Sequence, residues 1–447
     1  MFESRVHARC RPSVATKLAA TAGALGAAAG AIASPPTSRG GEVPFSWPLA
    51  QTLAQDPAPV YASQFGSALA ASADLVVVGA PHDLVAGIDA GAAYVYRRSN
   101  GSWQLETVLS SASPQHGGSF GFAVSVAATP DREVIAVGEP FRDDGANLDA
   151  GSLTVYERSG GTWQERSTMS GGSDYVALGY SVATDGTALL AGAPYSNAFY
   201  GATATLRRDD AGPSWAFDHE SRPGPADEMA GYYGLSVAVA GPHGLTGAMA
   251  ATLAGDSVGA AEISNLFADG PLTQRIVLHA PSPAEADEFG RSVAASGTLF
   301  AVGASSADES AQVANSGAVF VYRLEGQAAV FEKRHAARYP QQNAYFGWSV
   351  SFAGNRLAVG EPQRRTVLVT EYPFAGTVSV FSRSPLFGLW NREATLYNLA
   401  ANERMGTAVA AAGALVIAGV PQRGSGAAQV HRRDAIFVDG FEDTAPE

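Results

Sequence analysis

The sequence predicts an all-β fold, a seven-bladed β-propeller of four-stranded blades whose last blade is closed by an N-terminal strand. Three observations predict it. An aromatic-Gly pair or its apolar equivalent recurs seven times, at Phe65-Gly66, Phe120-Gly121, Leu178-Gly179, Tyr233-Gly234, Phe289-Gly290, Phe346-Gly347 and Met405-Gly406. The spacings run from 55 to 59 residues, and so regular a period marks a repeat architecture. Within each period an apolar run ends in Gly-Ala-Pro or a variant, and two further strand patterns follow it. Finally, 50 Gly and 25 Pro in 447 residues, about 17% against roughly 12% in ordinary chains, call for many tight turns.

Residues 1–33 read as a secretory signal peptide. Arg5, Arg9, Arg11 and Lys17 precede an Ala/Gly-rich apolar run from Leu18 to Ala33, which ends in Ala31-Ile32-Ala33 before Ser34-Pro35-Pro36. Small residues followed by a helix breaker suit cleavage after Ala33, and the run is short for a span of about 20 apolar residues. Residues 34–44 form a linker, residues 45–433 the propeller and residues 434–447 a C-terminal tail.

In each repeat the aromatic-Gly pair leads the first strand, as in Phe346-Gly347-Trp348-Ser349-Val350. The second ends at Gly79-Ala80-Pro81, Gly138-Glu139-Pro140, Gly192-Ala193-Pro194, Gly303-Ala304, Gly360-Glu361-Pro362 or Gly419-Val420-Pro421, where glycine allows close backbone approach and proline stops pairing. The third alternates, as in Gly91-Ala92-Ala93-Tyr94-Val95-Tyr96. The fourth is expected to put Trp103, Leu105, Thr107 and Leu109 on one face and Gln104 and Glu106 on the other. The fourth repeat is degraded: Gly247-Ala248-Met249-Ala250 replaces Gly-Ala-Pro, and no Trp opens its last strand near Arg275 to Leu278. The seventh repeat runs out after three strands, while Trp47 to Leu53 copies the pattern of Trp103 to Leu109. The two chain ends are therefore expected to share one blade, which leaves few sheet edges open.

These residues resemble the FG-GAP repeat, named for its Phe-Gly and Gly-Ala-Pro elements and found in the integrin α-subunit propeller and in exported bacterial proteins. The resemblance covers residues 47–433. In integrin-like repeats a calcium loop of the Asp-x-Asp-x-Asp-Gly kind often joins the first two strands. The corresponding segments here, such as Thr129-Pro130-Asp131-Arg132 and Thr184-Asp185-Gly186, carry at most one carboxylate each, too few oxygens for Ca²⁺. The resemblance thus implies a short-loop bacterial form, and no metal or other cofactor is expected.

Composition narrows the partners. The net charge of -13 opposes capture by nucleic acid or an anionic membrane, which needs clustered Lys and Arg. Without residues 1–33 the chain keeps 25 basic and 41 acidic residues, a net of -16. The single cysteine, Cys10, lies in the signal segment, so disulfides, thiolate nucleophiles and cysteine-held metals are not expected beyond it. Only Lys17 and Lys333 are lysines, a bias consistent with high-GC bacterial codon usage.

The candidate ligand-binding residues are Tyr195, Phe199, Tyr200 and Tyr232. The first three lie beyond Pro194 in one loop, Tyr232 opens the next repeat, and both segments emerge on the same propeller face. Phenol rings suit stacking on sugars or anchoring a protein. Equally, Tyr233 fits the buried aromatic position and Phe199 or Tyr200 can pack beneath its loop. The loop Asp143-Asp144-Gly145-Ala146-Asn147-Leu148-Asp149 is the richest in carboxylates, yet it lacks calcium-ligand spacing and reads as a solvated turn. The seven histidines beyond the signal segment are scattered, and His82-Asp83 reads as an exposed loop dipeptide. No metalloprotease, nucleophile-elbow or phosphate-loop motif is present, so no catalytic residue is assigned.

The expected function is non-catalytic recognition outside the cytoplasm, in the medium or cell envelope, by a monomer without a membrane span that binds a protein or glycan through loops on one face. A propeller lectin and a secreted hydrolase or lyase are the alternatives. The tail Ile436-Phe437-Val438-Asp439-Gly440-Phe441-Glu442 resembles a short ending seen on exported proteobacterial proteins, or else docks its two Phe rings on the rim.

Overall fold

The computed structural model describes residues 46–434 apart from 56–58, 60, 210–211, 225 and 368–370; the expected signal segment, the linker and the tail beyond Asp434 lie outside the described residues. Seven four-stranded antiparallel sheets form the blades of a propeller. In blade 1 the strands Ala68–Ala71, Leu75–Ala80, Ala92–Ser99 and Ser102–Leu109 pair in chain order. First strands of successive blades touch one another around a closed circle, so they are the innermost.

Blade 7 takes Val409–Ala412, Leu415–Val420 and Ala427–Arg432 from the C-terminal end and Leu49–Leu53 from the N-terminal end. Leu53 lies opposite Ala428 and Thr52 opposite Gln429. The closing strand also reaches blade 1: Gln51 Nε2 donates to the Trp103 carbonyl at 2.9 Å, and the Trp103 N–H donates to Gln51 Oε1 at 2.8 Å.

The seams explain the repeated residues. All seven side chains at the aromatic position, Phe65 to Met405, are at most 2% exposed. The glycine that follows has a φ of +86° to +93°, a left-handed conformation that glycine adopts without strain. Its carbonyl presses on the Gly-Ala-Pro glycine of the preceding blade, where a Cβ would lie 1.8 to 2.3 Å from it in every seam, including Gly419 against Gly66 at the closure. Degraded blade 4 keeps this contact through Gly247 and Gly290, and its fourth strand shrinks to Ile276–Leu278.

Two sequence expectations need correction. The aromatic-Gly pair does not generally start the first strand: it does in blade 5, at Phe289–Ser296, but in blade 6 the strand is Ser349–Ala353, and the Phe346 N–H donates instead to the Ser316 carbonyl of blade 5 at 2.9 Å. The single apolar face expected from Trp103 to Leu109 is also wrong. A β-bulge leaves Glu106 unpaired, with Val95 opposite Thr107 and Tyr96 opposite Leu105. The extra residue switches faces, so Trp103 packs toward the seam with blade 7 and Leu109 toward blade 2, while Leu105 is exposed. Equivalent bulges occur in blades 2, 3, 5, 6 and 7. One outer strand thereby seals both of its seams.

Candidate functional site

Loops from second to third strands, and from each blade to the next, open on one face of the propeller. The residue before each aromatic-Gly pair, Gln64, Ser119, Ala177, Tyr232, Glu288, Tyr345 or Arg404, has a φ of 53° to 61°. The residue after the glycine donates its N–H back to that residue's carbonyl at 3.0 to 3.2 Å. Seven tight turns thus ring the centre. Left-handed backbone is strained for a bulky side chain, so Tyr232 and Tyr345 occupy positions that a glycine would fill at lower conformational cost.

On blades 2 to 4 the rim is aromatic. Ring centroids run Phe141 to Phe122 at 5.6 Å, Phe122 to Tyr180 at 4.8 Å, Tyr180 to Tyr195 at 5.6 Å and Tyr195 to Phe199 at 5.9 Å. Tyr232 closes the group, 6.1 Å from Tyr195 and 5.8 Å from Phe199. Edge-on and tilted pairs of this kind contribute about 0.5–1.5 kcal/mol each, which holds the rings in place. Phe199 is exposed and the other five are half-buried. Burial, followed by the neighbouring Tyr180 and Tyr232, raises the Tyr195 phenol above its ordinary value, so it stays a neutral hydrogen-bonding group at physiological pH.

The loop bearing Phe199 is unusual. Asn197, Ala198 and Phe199 have φ values of 51°, 56° and 71° in succession, a left-handed turn that lifts Phe199 to the surface. Of the residues singled out by sequence, the structure brings Tyr195, Phe199 and Tyr232 together. Tyr200 is half-buried outside the ring run, and its carbonyl accepts the Tyr233 N–H at 3.1 Å across the seam. Tyr233 is core, its hydroxyl 3.0 Å from Glu262. Phe122, Phe141 and Tyr180 escaped the sequence reading, although the position after each Phe-Gly or Pro carries them.

The rim continues differently around the circle. On blades 5 and 6 the Arg291 guanidinium lies 3.7 Å from the Trp348 ring, which packs against Tyr345 at 5.9 Å. Glu288 accepts from Arg291 at 3.2 Å and from Ser305 at 3.0 Å. Blades 7 and 1 present Thr407, Gln422, Gln64 and Ser67 at these positions.

The acidic loop is tied to itself and to its neighbours by hydrogen bonds. Asp143 accepts the Asp149 N–H at 2.9 Å, Asp144 accepts from Ser170 at 2.6 Å, and Asn147 donates to Gly172 at 3.1 Å. Among the described residues no group of three or more His, Cys, Asp or Glu side chains is disposed to hold a metal ion. His82-Asp83 is a further correction: Asp83 is buried, because Tyr61 at 2.6 Å and Tyr94 both donate to its carboxylate. His243, His335 and His431 are buried as well.

Two segments, residues 54–96 and 272–322, match the FG-GAP repeat family. No curated protein matches the chain. Among solved structures it is similar to Saccharomyces cerevisiae Sqt1, at 11% identity over 88% of this chain and 98% of that one with a TM-score of 0.45. It is also similar to a putative 6-phosphogluconolactonase from Bacteroides uniformis, at 13% identity over 81% and 93% with a TM-score of 0.49. Likeness at this level carries no argument about chemistry.

Proposed function

We propose that this propeller of FG-GAP repeats is an exported, non-catalytic recognition module that binds a protein or glycan at the aromatic arc of its rim. The observation that carries the reading is the unbroken run of six rings, Phe141, Phe122, Tyr180, Tyr195, Phe199 and Tyr232, across three blades. Rings fixed on rigid blades lose little conformational freedom on binding, and aromatic anchors of this kind dominate protein and ligand contacts. The rest of the rim offers the Arg291–Trp348–Tyr345 stack, an internally paired Glu288, and amides and hydroxyls, which suit orientation of a ligand more than proton transfer.

The experiment is binding of purified residues 34–447 to a glycan array and to an exoproteome pull-down, with the Tyr180→Ala/Tyr232→Ala and Tyr195→Ala/Tyr200→Ala variants beside the parent. Saturable binding that falls at least about tenfold in the first variant supports the arc, a loss matching about 1.4 kcal/mol. Full affinity in a folded Tyr180→Ala/Tyr232→Ala variant would remove the arc as the site. Turnover of any bound glycan would replace recognition by catalysis.

A further inference from the structure

The hairpin between the third and fourth strands of blade 6 carries the most exposed large apolar side chains among the described third-to-fourth-strand connections. In blades 1, 2 and 5 this connection is the two-residue turn Asn100-Gly101, Gly160-Gly161 or Gly326-Gln327, while residues 209–214 join the strands in blade 3 and 266–275 in blade 4; blade 6 places Ser384 to Leu389 between Thr377–Arg383 and Trp390–Tyr397. The insertion is ordered: Ser384 and Leu389 pair at 2.8 Å, the Gly388 N–H donates to the Ser384 carbonyl at 2.9 Å, and the Ser384 hydroxyl accepts the Phe387 N–H at 3.3 Å. At its tip Leu386, Phe387 and Leu389 are 85%, 77% and 64% exposed. Three large apolar side chains held in water on one small projection oppose the hydrophobic effect unless something covers them.

The base of the hairpin is polar, and its three arginines are paired with two glutamates, which leaves one net positive charge. A cavity of about 390 Å³ is lined there by Asn355, Arg356, Arg383, Ser384, Asn391 and Arg433, with Glu393 between Arg356 at 3.2 Å and Arg433 at 3.1 Å and with Arg383 held by Glu332 at 2.8 and 2.9 Å. We infer that this hairpin docks the protein on a phospholipid surface, its Leu-Phe-Leu tip entering the acyl boundary while the arginine and amide donors at its base meet lipid phosphates. The shape favours lipid over a protein groove, because the apolar group is a convex point above a polar base whose Asn355 and Asn391 amides and remaining guanidinium N–H groups suit phosphate oxygens. Docking would be weak and reversible, since a short apolar insertion alone anchors poorly. The chain's net charge of -13 means that insertion, not charge, must drive it. The third-to-fourth-strand loops lie on the face opposite the aromatic arc, so a docked molecule presents the arc away from the bilayer.

The test is flotation of purified residues 34–447 with phosphatidylcholine vesicles at low and at molar salt, beside a Leu386→Ser/Phe387→Ser/Leu389→Ser variant. Binding that survives salt and falls at least about tenfold in the variant is expected, because each buried Leu or Phe side chain contributes roughly that factor or more. An unchanged melting curve would show that the surface substitutions leave the fold intact. Absence of the parent from the vesicle fraction, or equal flotation of both proteins, would overturn the inference. So would a parent that dimerises in light scattering while the variant is monomeric and neither floats, which would assign the tip to self-association.

Discussion

Seams and rim are built from the same seven repeats and obey different rules. At every seam the glycine contacts and the buried apolar side chain recur in all seven copies, even in blade 4, where Gly-Ala-Pro is otherwise lost. At the rim, the position after each glycine holds Ser67, Phe122, Tyr180, Leu235, Arg291, Trp348 and Thr407 in turn. Packing constrains the seam identically around the circle, whereas nothing in ring closure demands a particular rim side chain. Rim differences between copies are therefore where binding specificity can be stored, and each prediction below tests that division.

The largest effect is expected at the closure. Deleting residues 45–54 removes Trp47 and Leu53, which are 7% and 2% exposed, and leaves Ala427–Arg432 as an open edge. The loss should be about 5 kcal/mol or more, read as a sharply lower Tm or insoluble protein; an unchanged melting curve would show that the ring does not depend on its N-terminal strand. Gly192→Ala comes next. Its Cβ would lie 1.8 Å from the Gly234 carbonyl oxygen, and backbone on both sides must move, at a cost of about 3 kcal/mol. Chemical denaturation of this variant beside Gly224→Ala, at an open loop position with no left-handed φ and no neighbour within 4 Å, separates the seam clash from the general cost of a Cβ at a glycine.

The seam between blades 5 and 6 also carries two buried titrating groups with opposite signs. Burial lifts the Glu361 carboxyl to about 7, despite hydrogen bonds from Arg364 at 3.0 Å and Thr377 at 3.0 Å. Its contribution is present below an unfolded value near 4.5 and fades as pH rises through 7. Burial holds His335 at about 3, with its ring 4.2 Å from Phe381; its contribution is present above pH 6.5 and fades as pH falls. The Tm of Glu361→Gln relative to the parent should accordingly rise between pH 5 and 8, whatever the constant offset from the lost ion pair. His335→Phe should flatten the acid limb below about pH 6.5. A pH-independent difference for either variant would show that the group titrates normally in the fold.

The sequence made the seam legible and left most of the rim hidden, for a physical reason. Phe-Gly and Gly-Ala-Pro recur because each seam requires them, so period, strand number and shared last blade could be read directly. The bulge at Glu106 was not legible, because one unpaired residue leaves no mark on composition and only the pairing partner reveals it. Asp83 was misread as exposed because its donors Tyr61 and Tyr94 come from other parts of the blade. Tyr195, Phe199 and Tyr232 were found as a local cluster, whereas Phe122 and Tyr180 looked like ordinary strand residues 58 positions apart. Only closure of the ring brings such equivalent positions side by side.

At the rim the expected stability effects are smaller and the functional effects larger. Tyr180→Ala/Tyr232→Ala removes ring contacts worth about 1 kcal/mol each but should abolish most ligand affinity, the reverse of a seam substitution. The smallest change in stability is expected at Ala198. Its φ of 56° lies between those of Asn197 and Phe199 at 51° and 71°, and a glycine there relieves left-handed strain of up to about 1 kcal/mol while loosening the chain before and after it. If the turn exists to hold Phe199 in the arc, Ala198→Gly should leave Tm unchanged or slightly raised and still weaken the ligand bound in the array or pull-down. A raised Tm with full affinity would make the strain incidental to recognition, and a lowered Tm would show that the turn supports the seam after all.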